Sequence, residues 1–334
     1  MSTRLRLAIV LALVLTVGVV TWLVTTQATP EQSLSLAVLV DTGTETVRSL
    51  DRLGKLATEV TLGEEERIGA GIAAAIEAGG GDPEGAAADQ RAVAAAYAGA
   101  VVAELQERGG PRRSGVQYRV KVLGTSEINA FAVAGGHLYI TTAMLGLIES
   151  EAELAAVLGH EMAHVDLKHC IERIQYEHAA AKLGGEPLEA MVGIGAGLVS
   201  IGFADDLERE ADRMGTIYAA HAGYHPQGGQ LVFQRLLRLS GARPEARANV
   251  GAEVRGMLED ALEGYFRTHP KASERIAGYD RVFREQGFEL DSGRYYVGRQ
   301  NYADMQPRAA RELDAEWVTG RIFPPRSAKT RRLG

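Results

Sequence analysis

The fold is decided by residues 153–170, which read ELAAVLGHEMAHVDLKHC. Within this stretch, His160, Glu161 and His164 match the pattern H-E-x-x-H. A helix turns by about 100° per residue, so side chains four positions apart lie on one face. The two imidazoles can therefore bind one metal ion, while Glu161 lies beside them, where it can contact a water molecule. The spacing predicts a metal site built on a helix.

The residues around this pattern favour a helix. Apolar residues recur there at helical spacing, at Leu154, Val157, Leu158 and Val165. Glu151 and Glu153 lie near the start and Lys168 and His169 near the end, which is the charge order that a helix dipole prefers. We therefore expect one amphipathic helix that extends through Lys168 and His169. An amphipathic helix whose histidines are only polar surface is the alternative.

Composition limits the classes of function. The chain has 334 residues, 46% of them hydrophobic, which is enough for one large domain or two modest ones. Its net charge of −7 argues against a nucleic-acid partner. The only cysteine, Cys170, excludes an intramolecular disulfide and a cysteine-rich zinc module. We expect Cys170 to pack as a small apolar residue at the end of the motif helix.

The N-terminus predicts a membrane segment. Arg4 and Arg6 precede residues 7–24, which carry no charge and are mostly apolar. Residues 1–28 are therefore a signal anchor or a signal peptide, and the length of the run favours the anchor. Positive charge before the span places the body on the extracytoplasmic face of the membrane, which is the periplasmic face in a bacterial envelope. Residues 29–61 are expected to be a linker with some helix.

Two helices and a small sheet are predicted before the motif. Residues 62–79 and 84–107 have helical patterns, and residues 118–122 alternate as a strand does. Two further strands flank a glycine turn at residues 135–136. The first of them begins with Asn129, Ala130, Phe131 and Ala132. As an edge strand it could bind an extended peptide substrate by backbone hydrogen bonds; a purely structural hairpin is the alternative.

An acidic segment supplies candidates for a third metal ligand. A zinc hydrolase needs three protein ligands and an open fourth position. Glu208 and Asp212 are one helical turn apart, so Glu208 could bind zinc while Asp212 hydrogen-bonds a ligating histidine. Other acidic residues nearby are equally eligible by spacing: Asp205, Asp206 and Glu210.

The chain resembles the M48 metallopeptidases in several short motifs and in the order of these motifs along the sequence. The likeness covers about residues 62–279 and is carried by LGEEE at 62–66, NAFA at 129–132, GG at 135–136, HEMAH at 160–164 with His169, EREAD at 208–212, AGYHP at 222–226, and THP at 268–270 with Arg275. The resemblance implies a metallopeptidase domain at about residues 62–285 and a C-terminal extension with a basic tail at 286–334.

The resemblance also implies roles for single residues. Glu208 would be the third zinc ligand and Asp212 the partner of a ligating histidine. His269 would lie over the active site, where it either stabilises an oxyanion or occupies the open zinc position. Arg275 would pair with Glu208 or with a carboxylate near it.

The expected protein is an α+β, mainly helical, zincin-like metallopeptidase domain with a small antiparallel sheet, behind an N-terminal membrane segment. By the resemblance it is a zinc endopeptidase of the cell envelope, with one Zn²⁺ per chain and Glu161 as the general base. Its partners would be misfolded or unassembled polypeptides and the membrane, and a homo-oligomer is left open. The alternative is a chaperone or assembly factor on a latent protease fold.

Overall fold

The computed structural model describes residues 60–79, 86–110, 112–181, 202–240 and 272–322. All of them belong to one compact unit that begins at Val60. The predicted membrane segment at residues 1–28, His269 and the basic tail lie outside the described residues. No helix in the described ranges has the length and the apolar character needed to cross a bilayer.

Two long helices precede the sheet, as predicted. Helix α1 spans Leu62–Gly79 and helix α2 spans Ala86–Arg108. The start of α1 is a capping box, because the amide of Glu64 donates to Thr61 Oγ1 (3.3 Å) and the amide of Thr61 donates to Glu64 Oε2 (2.9 Å). Apolar residues of α2 such as Val101 and Leu105 are fully buried, so this helix is part of the core.

The sheet has three strands in the order β1-β3-β2, namely β1 (Arg119–Leu123), β2 (Ala130–Val133) and β3 (His137–Thr141). Strands β2 and β3 form the predicted hairpin, whose turn places Gly135 and Gly136 at φ values of 76° and 86°. The predicted all-antiparallel sheet is wrong, because β1 pairs with β3 in parallel. The hairpin occupies one edge of β3, so β1 lies along the other edge and residues 124–129 carry the chain across to β2.

The motif lies on helix α4 (Glu151–Asp166), which follows the short helix α3 (Thr142–Leu147). The Ser150 side chain caps α4 by accepting from the amide of Glu153 (3.3 Å). Helix α4 is buried on nearly every side and not amphipathic, since all of its residues except Val157 and Asp166 are buried. Helix α2, strand β2 and two of the later helices pack against it.

The predicted extension of the motif helix through residue 169 is wrong. Lys168 adopts a left-handed conformation (φ 66°), which ends α4 after Asp166. His169 is instead the first residue of helix α5 (His169–Ala181). Cys170 is buried as expected, but it lies in α5 as well.

Three more helices follow, namely α6 (Asp205–His221), α7 (Gly228–Ser240) and α8 (Ala272–Glu285); α6 and α7 pack on α4, and α8 packs on α6 and α7. The C-terminal part contains strand β4 (Arg294–Tyr296), helix α9 (Arg299–Asp304) and strand β5 (Trp317–Thr319). Strands β4 and β5 form an antiparallel pair, and Tyr224 joins Tyr296 by an isolated bridge. The described unit is therefore α+β and mainly helical.

Candidate metal centre

Two glycines allow helices α4 and α6 to approach closely. A Cβ atom on Gly215 would lie 2.6 Å from the backbone nitrogen of His160, and one on Gly159 would lie 3.0 Å from the carbonyl oxygen of Gly215. No larger residue fits at this crossing without moving a backbone. The contact brings the first half of α6 beside the two histidines of the motif.

His160, His164 and Glu208 converge at this crossing. All three are buried, and one ligand atom from each lies within 4.8 Å of the others. The two Nε2 atoms are 3.1 Å apart, His160 Nε2 lies 3.5 Å from Glu208 Oε2, and His164 Nε2 lies 3.4 Å from Glu208 Oε1. Ligands about 2.1 Å from a tetrahedral zinc ion are separated by roughly 3.4 Å. The donor types and their spacing therefore fit Zn²⁺.

Asp212 fixes the second nitrogen of His160. Its Oδ1 lies 3.1 Å from His160 Nδ1, and Arg275 donates to both Asp212 oxygens at 2.6 and 2.7 Å. Burial opposes the charge of Asp212, but Arg275 and His160 together outweigh burial and lower the pKa of Asp212 to about 2. Tyr279 also donates to Asp212 (3.1 Å). Asp212 is thus held as a carboxylate facing His160.

The two histidines differ in electrostatic environment. Burial disfavours charge on His160, but hydrogen bonds to Asp212 and Glu208 dominate and raise its pKa to about 9. Burial lowers the pKa of His164 to about 3, although Glu208 opposes this. His164 is therefore a neutral imidazole at neutral pH, and the carboxylates around His160 favour a cation, either a proton or a metal ion.

Glu161 lies beside this group in a small cleft. Its side chain is buried, with 2% of its surface exposed. Residues from β2, α4, α7 and α8 line the cleft: Ala130, Ala156, Val157, His160, Glu161, Gly229, Val232, Phe233, Arg275 and Tyr279. A carboxylate in a mostly apolar cleft next to a metal-binding group is suited to proton transfer.

The structure brings most of the residues predicted for the site together. Arg275 Nη1 lies 2.7 Å from Glu208 Oε2 in addition to its contacts with Asp212. Among the four candidate substrate-binding residues, Ala130 lines the cleft. Asn129 exchanges hydrogen bonds with Thr141, and Phe131 stacks on Tyr139 with ring centroids 4.9 Å apart.

Three aromatic contacts at the centre were absent from the sequence-based prediction. Tyr279 bonds Asp212, the Phe233 ring lies 4.2 Å from the Arg275 guanidinium carbon, and the Phe203 ring stacks on His164 at 4.1 Å. Tyr279 follows Arg275 by one helical turn, so helical spacing could have predicted its position on the same face. Phe203 and Phe233 carry no such signal.

Comparison with known proteins places these residues in a family context. A family model described as Peptidase family M48 matches residues 94–281, a range that includes the motif helix and the third candidate ligand. The chain is 28% identical over 166 residues to mitochondrial metalloendopeptidase OMA1 of Arabidopsis thaliana (48% of this chain, 30% of the relative).

Two further relatives also have names that describe proteases. The beta-barrel assembly-enhancing protease of Escherichia coli is 25% identical over 234 residues, which cover 62% of this chain and 44% of the relative. The metalloendopeptidase OMA1 of Saccharomyces cerevisiae is 27% identical over 171 residues, which cover 48% of this chain and 46% of the relative. The matched region is less than half the length of each of these three relatives.

Proposed function

This chain belongs to peptidase family M48, and we propose that it is a zinc-dependent endopeptidase with His160, His164 and Glu208 as the zinc ligands. The main support is the convergence of these three buried side chains beside Glu161. A zinc ion there would polarise a peptide carbonyl and lower the pKa of a water molecule.

Glu161 is proposed as the general base. It takes a proton from the attacking water and returns that proton to the leaving amine. Its place in the cleft beside His160, with little exposed surface, supports this role. Asp212 and Arg275 hold His160 in orientation. His269, which lies outside the described residues, is proposed on family likeness alone either to stabilise the oxyanion or to cap the zinc position.

Strand β2 is proposed to hold an extended substrate. Within the described sheet β2 is an edge strand, and Ala130 lines the same cleft as His160 and Glu161. A peptide that runs along this strand would bring its scissile bond to the metal centre.

The proposed substrates are misfolded or unassembled proteins of the cell envelope. One support is the predicted membrane anchor at residues 1–28, which would hold the catalytic unit on the extracytoplasmic face. Another is the name of the Escherichia coli relative, which connects that protein with beta-barrel assembly. A latent protease fold that acts as an assembly factor is the competing function.

One experiment separates these functions. The full chain is compared with Glu161→Gln and His269→Ala for zinc content and for cleavage of casein. We expect about one zinc per wild-type chain, and cleavage that Glu161→Gln abolishes without loss of zinc. Cleavage only after His269→Ala would favour the latent form. A folded wild type without zinc would overturn the proposed function.

A further inference from the structure

The outer nitrogen of His164 faces a second histidine. His164 Nε2 points towards His160 and Glu208, while its Nδ1 lies 3.0 Å from Nδ1 of His169. His169 is 3% exposed and begins α5, directly after the left-handed turn at Lys168. That turn, which ends the motif helix early, is what lets the His169 ring face back towards His164.

The placement of protons in this pair follows from its geometry. A neutral imidazole carries one N–H and one acceptor nitrogen. A metal ion at Nε2 of His164 requires the hydrogen on Nδ1, so His164 donates to His169. His169 must then accept at Nδ1 and carry its own hydrogen on Nε2. That nitrogen lies 3.6 Å from Glu210 Oε2 on α6.

We propose that His169 is a positioning residue that holds His164 in the tautomer needed for zinc binding, with Glu210 favouring the matching tautomer of His169. The proposal rests on the zinc site proposed above. It gives each ligating imidazole its own partner, which is Asp212 for His160 and His169 for His164. Such partners fix ring orientation and raise the basicity of the ligand.

The surroundings explain why a neutral partner suits this position. Carboxylates already crowd the centre, since Glu208 and Asp212 both contact His160. A third carboxylate against His164 would add negative charge in a buried place, whereas an imidazole accepts the hydrogen bond without it. Glu210 is about half exposed, so water screens its charge.

Phe203 restricts His164 further. The two rings are nearly parallel, with centroids 4.1 Å apart and an interplanar angle of 18°. Arg173 lies over the Phe203 ring (5.4 Å) and donates to the carbonyl of Gly202 (2.9 Å). One face of His164 is therefore covered, and His169 holds the edge opposite the ligand nitrogen.

The first test measures zinc affinity of the full chain by competition with a chromogenic chelator. We expect His169→Leu to lower the affinity by about 10- to 100-fold, because His164 loses its acceptor. His169→Gln should restore most of it, since the amide oxygen can accept from His164 Nδ1. Cys170→Ala is the matched control, a buried neighbour on α5 that should leave affinity unchanged.

The second test reads the tautomers directly. Nitrogen-15 NMR of the zinc-loaded wild type, labelled at histidine, should show hydrogen on His164 Nδ1 and on His169 Nε2. Hydrogen on His169 Nδ1 would overturn the proposal, and so would wild-type affinity in a folded His169→Leu variant. A wild type that binds no zinc would overturn the proposed function along with it. Should His169→Leu fail to fold, the wild-type spectrum alone decides.

Discussion

At the scale of the residue, sequence spacing alone could not identify the third zinc ligand. Four acidic residues near the start of α6 were eligible: Asp205, Asp206, Glu208 and Glu210. In the described part of the chain, only Glu208 joins the two histidines in a group able to hold a metal. Glu208 lies two helical turns before Gly215, so the crossing at Gly215 directs this face of α6 towards His160.

We predict that Glu208→Ala abolishes stoichiometric zinc binding, because two imidazoles alone leave the ion without its buried carboxylate. Asp206→Ala is the control. Asp206 is an exposed acid on the same helix, so this variant should bind zinc like the wild type. Metal analysis of the two purified variants checks this. Loss of zinc in Asp206→Ala but not in Glu208→Ala would refute the assignment.

Local spacing was sufficient to place His160 and His164 on one face of a helix and Glu208 and Asp212 on one face of another, because each pair depends on the period of a single helix. It could not identify Phe203 or Phe233, whose contacts join segments that are distant in sequence. The same limit applies to His169. The sequence gives the number of residues between His169 and the motif. The direction of the His169 side chain depends on the left-handed conformation of Lys168, and no local signal predicted a helix end there.

At the scale of the element, the closeness of α4 and α6 determines the geometry of the centre. His160, His164 and Glu208 lie on these two helices, so the separation of the helices sets the separation of these three side chains. Gly159 and Gly215 permit the short separation. Their role could not be read from the sequence, because a glycine within a helix has several explanations.

We predict that Gly215→Ala weakens zinc binding and destabilises the fold by about 1–3 kcal/mol, because the added methyl overlaps the backbone of His160. Gly99→Ala is the matched control. Gly99 lies within α2 with open space around it, so alanine should be neutral or stabilise by about 0.5–1 kcal/mol.

Denaturant unfolding and zinc competition on both variants measure these effects. Equal stability of the two variants would show that the helices do not need their close contact at Gly215.

At the scale of the whole molecule, the C-terminal segment is attached to the catalytic unit through a buried polar cluster. Arg308 donates to Glu104 on α2 (2.9 Å), and its backbone amide donates to Glu151 on α4 (3.0 Å). The Tyr224 hydroxyl lies at hydrogen-bonding distance from both carboxylates, and the centroid of its ring lies 4.3 Å from the Arg308 guanidinium carbon. Glu151 is the first residue of the motif helix, so the cluster connects the C-terminal segment to that helix.

Arg308→Met should destabilise the full chain by about 3–5 kcal/mol, since it removes the buried cation from Glu104, which keeps only the more distant and exposed Arg108 at 3.7 Å. The control is Arg311→Met, which removes a partly exposed pair with Asp304 and should cost less than about 1 kcal/mol. Chemical denaturation of both variants at one pH gives the comparison. Similar losses in the two variants would contradict a structural role for the cluster.

The same cluster predicts a pH dependence. Burial raises the pKa of Glu151 above its ordinary value of 4.5, so the folded protein holds the proton more tightly than the unfolded chain does. The stability that Glu151 contributes is therefore full below pH 4.5 and is lost as the pH rises through the raised pKa.

The stability difference between wild type and Glu151→Gln should accordingly become less favourable to the wild type as the pH rises from 4.5. Unfolding of both proteins across this range measures the difference. A difference that is constant with pH, or that changes in the opposite direction, would show that Glu151 is not perturbed by burial.

Sequence patterns predicted the mainly helical α+β class and the hairpin, because these features repeat within short windows. They did not predict the parallel pairing of β1 with β3 or the ion pair of Arg308 with Glu104, since each depends on contacts between distant segments.

The most direct test of the metal site is anomalous X-ray scattering at the zinc absorption edge from crystals of the full chain grown with zinc. We predict one strong peak, about 2.0–2.2 Å from Nε2 of His160, Nε2 of His164 and a carboxylate oxygen of Glu208. A folded protein with no peak there, or with its zinc bound by other residues, would contradict the central claim.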